Sequence, residues 1–259
     1  MKVLGVKQFH QMRFQFLPIK EPWAGTLGKV PHNFIAVVYG FSGNGKTEFV
    51  VQWAKMLANL GKKVGWLSYE QRHGSDFQMA TKRNKMEEVS GNFYPIDPIA
   101  SIPDGVTLIE DLDKYLRKRN SPDVIVIDSI DYTGFDWNDY VMLKNRYGTR
   151  KIFIFIAHST KAGGIKKAIS ERIIFDGGMG IFVSHYIAHP NKNRYGGFDP
   201  FVVWEEMARA KNPVFFAAQV QAEPKPNRKG KKTKESLESE GIDEKTPLES
   251  IGVEAEYDT

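Results

Sequence analysis

The 259-residue sequence predicts an α/β fold, with a mostly parallel central sheet covered by helices and an antiparallel extension of strands towards the C-terminus. Three observations predict it. The apolar run Phe34–Tyr39 leads through a glycine-rich turn into a helical pattern over 46–60, the order strand, turn, helix. Further apolar runs at 64–68, 124–128 and 151–157 are continuous, as strands buried on both faces are. From Met179 onward the strand-like stretches 180–190, 200–207 and 214–220 follow one another closely, which suits antiparallel neighbours.

Each element has a local reason. Residues 1–33 carry Pro18, Pro22, Pro31 and three glycines, and read as a lead-in held to the core edge by Trp23 and Leu27. In the helix at 46–60, Val50, Trp53, Leu57 and Leu60 fall on one face, and Gly61 ends it by supplying positive φ. Residues 75–88 read as a polar helix. The stretch 90–105, with Pro95, Pro98 and Pro103, reads as loop. A helix near 107–119 leads through Ser121-Pro122 to the strand Val124–Asp128. Another near 137–147 ends at Gly148, with Lys144 and Arg146 in its last turn. The expected division is a lead-in (1–33), a main domain (34–221) and a charged tail (222–259). The tail is polar, basic over 225–234 and then acidic, and is expected to be disordered.

Composition narrows the function classes. The absence of cysteine excludes disulfides and thiolate metal sites. No apolar run approaches bilayer length, and the N-terminus lacks an apolar signal core, so a cytoplasmic protein without a membrane partner is expected. The formal charge is +5. The tail carries seven basic and ten acidic residues, leaving +8 on the rest. A basic body suits a polyanionic partner, though it serves solubility equally well.

The run Gly40-Phe-Ser42-Gly43-Asn44-Gly45-Lys46-Thr47 fits G-x-x-x-x-G-K-[ST] and sits between strand and helix, the context the motif needs. Its glycines let successive N–H groups face phosphate oxygens, aided by the helix N-terminus that continues through Glu48. Lys46 is placed for the β- and γ-phosphates and the Thr47 hydroxyl for Mg²⁺, so ATP and Mg²⁺ are the expected cofactors. Asp128, at the tip of a buried strand, suits the metal's water shell. Glu70, just past the second strand, is either the carboxylate that polarises the attacking water or an exposed loop glutamate. His158 ends the 151–157 strand, where a polar side chain can sense the γ-phosphate. The stretch Ser159–Asp176 reads as a loop whose Lys161, Lys166, Lys167 and Arg172 suit a phosphate backbone, or simply water. Lys192 and Arg194, in Lys192-Asn-Arg194-Tyr-Gly196, form a basic tip that could act on a neighbouring subunit's nucleotide. The same five letters at 144–148 read as a helix end.

Taken together, the ordered set resembles the RecA-like ATPase superfamily, and within it the DnaB-type helicase and RadA-type branch, over roughly residues 20–210. His158-Ser-Thr-Lys161-Ala-Gly163 is similar to the histidine-x-threonine-lysine segment of the RadA type, and 192–196 to its lysine-asparagine-arginine-aromatic-glycine motif. The resemblance implies Lys46 and Thr47 on phosphate and Mg²⁺, Asp128 supporting the metal, Glu70 as catalytic base, His158 as sensor, and Lys192 with Arg194 acting in trans. It also implies a homo-oligomeric ring or filament with single-stranded DNA as partner. The zinc-binding cysteines and protease-like domain of the RadA type are missing, as is the N-terminal helical domain of the DnaB type. What remains is close to a minimal ATPase core, of the sort found in phage and mobile elements. A DNA-dependent helicase, translocase or recombination ATPase is the expectation. A DNA-independent regulatory switch with a protein partner is the alternative, and a small-molecule kinase is disfavoured by the lack of an arginine-rich lid helix.

Overall fold

The computed structural model describes residues 1–222, and the expectation of a disordered tail lies outside them, apart from Ala222. In chain order the elements are α1 (Val6–His10), α2 (Trp23–Leu27), β1 (Ile35–Gly40), α3 (Lys46–Asn59), β2 (Val64–Ser68), α4 (Ser75–Arg83), β3 (Phe93–Ile96), α5 (Leu108–Leu116) and β4 (Val124–Asp128). They continue as α6 (Trp137–Tyr147), β5 (Ile152–His158), α7 (Ala168–Gly177), β6 (Gly178–Ser184), β7 (Ile187–Asn193), β8 (Phe201–Val202), α8 (Glu205–Lys211) and α9 (Pro213–Ala222).

The strands form one sheet in the order β3-β2-β4-β5-β1-β6-β7-β8. Strands β3 to β6 of that order run parallel, and β7 and β8 pair antiparallel beyond them. β1 is therefore central, flanked by β5 and β6, and all six of its residues are buried. Residues of alternate parity feed two separate cores, as the strand period dictates. On one face Ala36, Val38, Trp66 and Ile154 pack with Phe49, Trp53 and Leu57 of α3. On the other, Val37, Ile125, Ile127, Phe153 and Phe155 pack with Leu112, Tyr140, Leu143 and Ile173 of α5, α6 and α7.

The lead-in is anchored where the sequence predicts. Leu27 is fully buried, and the Trp23 ring stacks on Phe201 at 4.3 Å between centroids. Residues 1–16 are exposed, including Phe9 and Phe14. Gly61 has φ +79 and closes α3 as expected.

Four sequence expectations are corrected. The loop at 90–105 contains β3. Pro95 is tolerated there because β3 is an edge strand, whose outer N–H groups need no partner. The polar helix stops at Arg83, because Lys85 takes a left-handed conformation, and a separate 3₁₀ turn, Met86–Val89, follows. The stretch Ser159–Asp176 is a loop only as far as Lys167. Ile173 and Ile174 then bury one side of α7. Towards the C-terminus, the run 180–190 is two strands with a tight turn at His185-Tyr186, β8 spans two residues, and 213–222 is helical. Among the described residues, no helix is long and apolar enough to cross a membrane.

Trp53 is fully buried and touches Phe34, Phe49 and Trp23. Trp53→Ala is expected to lower stability by about 3–5 kcal/mol, read as a fall in denaturation midpoint at unchanged slope.

Candidate nucleotide site

The parallel register builds the site. Gly40 lies opposite His158, and Ser68 opposite Asp128, so four strands end at the same edge. The Asp128 carbonyl accepts from the backbone N–H groups of both Tyr69 (2.6 Å) and Glu70 (3.0 Å), which turns the chain leaving β2 towards β4. The peptide between Asp128 and Ser129 is cis.

The resulting cleft, of about 210 Å³, is lined by Ser42, Gly43, Gly45, Lys46, Thr47, Glu48, Glu70, Asp128 and His158. Gly43 (φ +75) and Gly45 (φ +95) have the left-handed backbone that the turn requires. Space above Gly43 is open, whereas a Cβ at Gly45 would meet the Tyr186 ring at 2.7 Å. Lys46 is buried and its Nζ donates to the Phe41 carbonyl at 3.2 Å. Burial depresses its pKa, against the pull of Glu70 and Asp128.

Asp128 is buried, and its Oδ2 has no hydrogen-bond partner. Desolvation first, and Glu70 second, push its carboxyl up to about 7, with Lys46 opposing. A buried, unpartnered carboxylate oxygen beside a lysine and a threonine is a donor set that suits Mg²⁺ with its phosphates.

Glu70 and His158 meet. His158 Nε2 lies 3.5 Å from Glu70 Oε1, and Nδ1 lies 3.1 Å from Asp131 Oδ2, which also accepts from the His158 backbone N–H at 2.7 Å. Nδ1 hydrogen-bonds Asp131, while Nε2 faces the Glu70 carboxylate, so a carboxylate stands at each ring nitrogen. The bonds to Asp131 and Glu70 raise the His158 pKa to about 9 against burial. Burial alone would raise Glu70, but His158 and then Lys46 hold its carboxyl below its ordinary value.

Glu48 is placed differently from the other turn residues. Its carboxylate accepts from Arg83 Nε at 2.7 Å and Asn84 Nδ2 at 2.5 Å, which ties α3 to α4. Asn44 holds the β6–β7 turn. Its Oδ1 accepts from His185 N at 2.8 Å and its carbonyl from Tyr186 N at 3.0 Å. His185 (φ 51) and Tyr186 (φ 60) are both left-handed, as a two-residue turn of this kind demands of residues that usually avoid it.

The other expected residues lie further out. Lys161 and Lys166 are exposed. Lys167 Nζ donates to the Asp131 carbonyl, and the Arg172 guanidinium lies 4.0 Å from the Trp137 ring centroid. Lys192 and Arg194 are not at this cleft. β7 runs back, so Asn193 pairs with Met179, which lies opposite Ala36 near the end where β1 begins, about 13 Å along the strands from Gly40. Lys192 Nζ donates to the carbonyls of Ile174 (2.8 Å) and Phe175 (2.7 Å), and Arg194 Nη2 donates to Phe175 (3.1 Å), covering the end of α7.

Sequence reasoning missed Asp131, Tyr186, Trp204 and Arg83. Tyr186, Trp204 and Arg83 line the cleft, with the Arg83 guanidinium 5.5 Å from the Trp204 ring. Asp131 stands three residues past Asp128 and carried a signal only in that spacing. Nothing local marks the others.

This sheet order, with the glycine-rich turn leaving its central strand, is a fold shared with solved structures. A flagellar accessory protein, FlaH, from Methanocaldococcus jannaschii is similar at 18% identity and a TM-score of 0.51, over 71% of this chain and 91% of that one. A KaiC-like protein from Pyrococcus horikoshii is similar at 17% identity and a TM-score of 0.53, over 73% and 93%. No protein-family model and no curated protein matches the sequence.

His158 is expected to titrate near pH 9, well above the free value of 6.5. Because the folded pKa is the higher one, its stabilising contribution is fully present below about pH 6.5 and is lost as pH rises towards 9. Asp131→Asn should move the imidazole NMR titration midpoint down by a unit or more. An unmoved midpoint would remove Asp131 from this role.

Proposed function

We propose that this protein binds and hydrolyses ATP with Mg²⁺ as a homo-oligomer, and couples that cycle to a protein partner. The observation that carries the reading is the convergence of Lys46, Thr47, Asp128, Glu70 and His158 on one cleft at the head of α3. Mg²⁺-bound ATP supplies the reacting phosphoryl group, and the metal neutralises charge between its phosphates. Lys46 binds phosphate through its buried ammonium, while Thr47 and Asp128 hold the cation. Glu70, kept ionised by His158, orients and polarises the attacking water. Tyr186 and Trp204 offer aromatic surface to a base.

His158 reports the state of the cleft. Its Nε2–H can turn from Glu70 to a phosphate oxygen while Nδ1 stays on Asp131. The Asp131 carbonyl in turn holds Lys167, at the start of α7. That chain of contacts leads from the cleft to the 159–167 loop.

Lys192 and Arg194 stand at the far end of the sheet and cannot serve their own cleft. In a ring or filament they would face the cleft of the next subunit, in line with the trans role that the DnaB- and RadA-type resemblance suggests.

A protein partner fits better than DNA for two reasons. Lys167 and Arg172 are engaged within the chain, which leaves a thin basic surface on the 159–176 stretch. One matched structure is by its name a flagellar accessory protein. Single-stranded DNA is the second reading, carried by the exposed Lys161 and Lys166.

Steady-state ATP hydrolysis, with and without single-stranded DNA at two salt concentrations, separates the readings. Slow turnover indifferent to DNA is expected. Strong stimulation that fades with salt would move the function to DNA. Lys46→Ala should abolish nucleotide binding or turnover. Glu70→Gln should keep ATP binding and slow hydrolysis by about 10²–10⁴-fold; normal turnover would exclude Glu70 as base. Mixing Arg194→Ala with Lys46→Ala protein should restore some activity if Arg194 acts across subunits, and the absence of rescue under subunit exchange would argue against it.

A further inference from the structure

A cavity of about 780 Å³, larger than the nucleotide cleft, lies at the opposite end of the sheet among the described residues. It sits where α5 and α6 end and β4 and β5 begin. Six cations line it: Arg117, Lys118, Arg119, Arg146, Arg150 and Lys151.

Carboxylate partners or buried hydrogen bonds account for half of them, and Lys118 Nζ lies 5.5 Å from the Tyr115 ring centroid. Arg117 and Arg146 share the carboxylate of Asp113, with Arg146 Nη1 at 2.7 Å. Lys151 is buried and its Nζ donates to the Ser121 hydroxyl (2.9 Å) and the Pro122 carbonyl (2.6 Å). Lys118, Arg119 and Arg150 have no carboxylate partner among the described residues, and all three are exposed. Basic groups often stabilise helix C-termini, and Arg150 Nη2 does donate to the Arg146 carbonyl at 3.4 Å, but most of the terminal carbonyls are met by other groups. Ser121 Oγ donates to Leu116 and Ser121 N to Lys118 at the end of α5. Gly148 N donates to Lys144, and Arg150 N and Lys151 N to Tyr147, at the end of α6. Asp123 is the acidic residue in the lining, and its Oδ2 already accepts from Lys63 N at 3.0 Å.

We propose that this basic cleft is a second anion site, which binds a compact ligand bearing several phosphates. The excess of cations over carboxylates gives the sign of the ligand. Four of the six are arginines, whose planar forks match phosphate oxygens in pairs. They converge from the ends of two helices and the start of a strand onto one concavity of small-ligand size, rather than lying along a track as for a nucleic-acid strand. The site faces away from the P-loop, so it can be occupied together with the nucleotide cleft.

The test uses the full chain carrying Lys46→Ala, so that the P-loop does not answer for the second site. Titration with inorganic tripolyphosphate by calorimetry should give one saturable event that weakens with salt. Adding Arg119→Ala and Arg150→Ala, both exposed and outside the core, should weaken it at least tenfold with the circular dichroism spectrum unchanged. Those two changes on an intact P-loop should leave ATP hydrolysis at its original rate. No saturable binding, or equal affinity in the two proteins, would overturn the proposal. So would binding of a single-stranded oligonucleotide that depends on Arg119 and Arg150 while tripolyphosphate does not bind.

Discussion

The site depends on one constraint, the parallel register of four buried strands. β1, β2, β4 and β5 are aligned so that Gly40, Ser68, Asp128 and His158 stand at one edge of the sheet. A strand has a side-chain period of two, so slipping any of these pairings by one residue would send each side chain to the wrong core. The two-sided core forbids that slip. Ile125, Ile127, Phe153 and Phe155 fill one face, while Val126, Ile154 and Ile156 fill the other. Packing that looks remote from the cleft therefore fixes the geometry of the cleft.

On that frame the charges are arranged as a relay. Lys46 and His158 are the cations, and Glu70, Asp128 and Asp131 the carboxylates. Burial alone would neutralise most of them. Contact between opposite charges keeps His158 protonated and Glu70 and Asp131 ionised, whereas Asp128 is left poorly matched, with one oxygen unpaired. That imbalance is concentrated where a divalent cation would relieve it. The arrangement concentrates electrostatic cost at the cleft and offsets it through the surrounding core.

The C-terminal hairpin joins this frame to the glycine-rich turn. Asn44 accepts two backbone bonds from a turn whose His185 and Tyr186 both adopt left-handed backbone, and the Tyr186 ring lies over Gly45. The contacts tie the antiparallel strands directly to the glycine-rich turn. At the other end of β7, Lys192 and the following Arg194 donate to carbonyls at the end of α7.

Much of this was legible in the chain because it is written locally. The glycine-rich turn, the lysine and threonine after it, the continuous apolar runs and the glycines at 61 and 148 each act through their own neighbours. The strand β3 was not legible, because Pro95 is admissible only once an edge position is known. Nor was α7, whose burial of Ile173 and Ile174 against the sheet overrides a glycine- and lysine-rich start. By itself the sequence determined the fold class, the cradle and the order of Glu70, Asp128 and His158, since these follow from short-range pattern and backbone sterics. Tertiary structure alone decided that Asp131 would orient His158, that Lys192 and Arg194 would stand far from their own cleft, and that six cations would share a second one. Strands and helices distant in sequence meet there, and only the sheet order says which of them do.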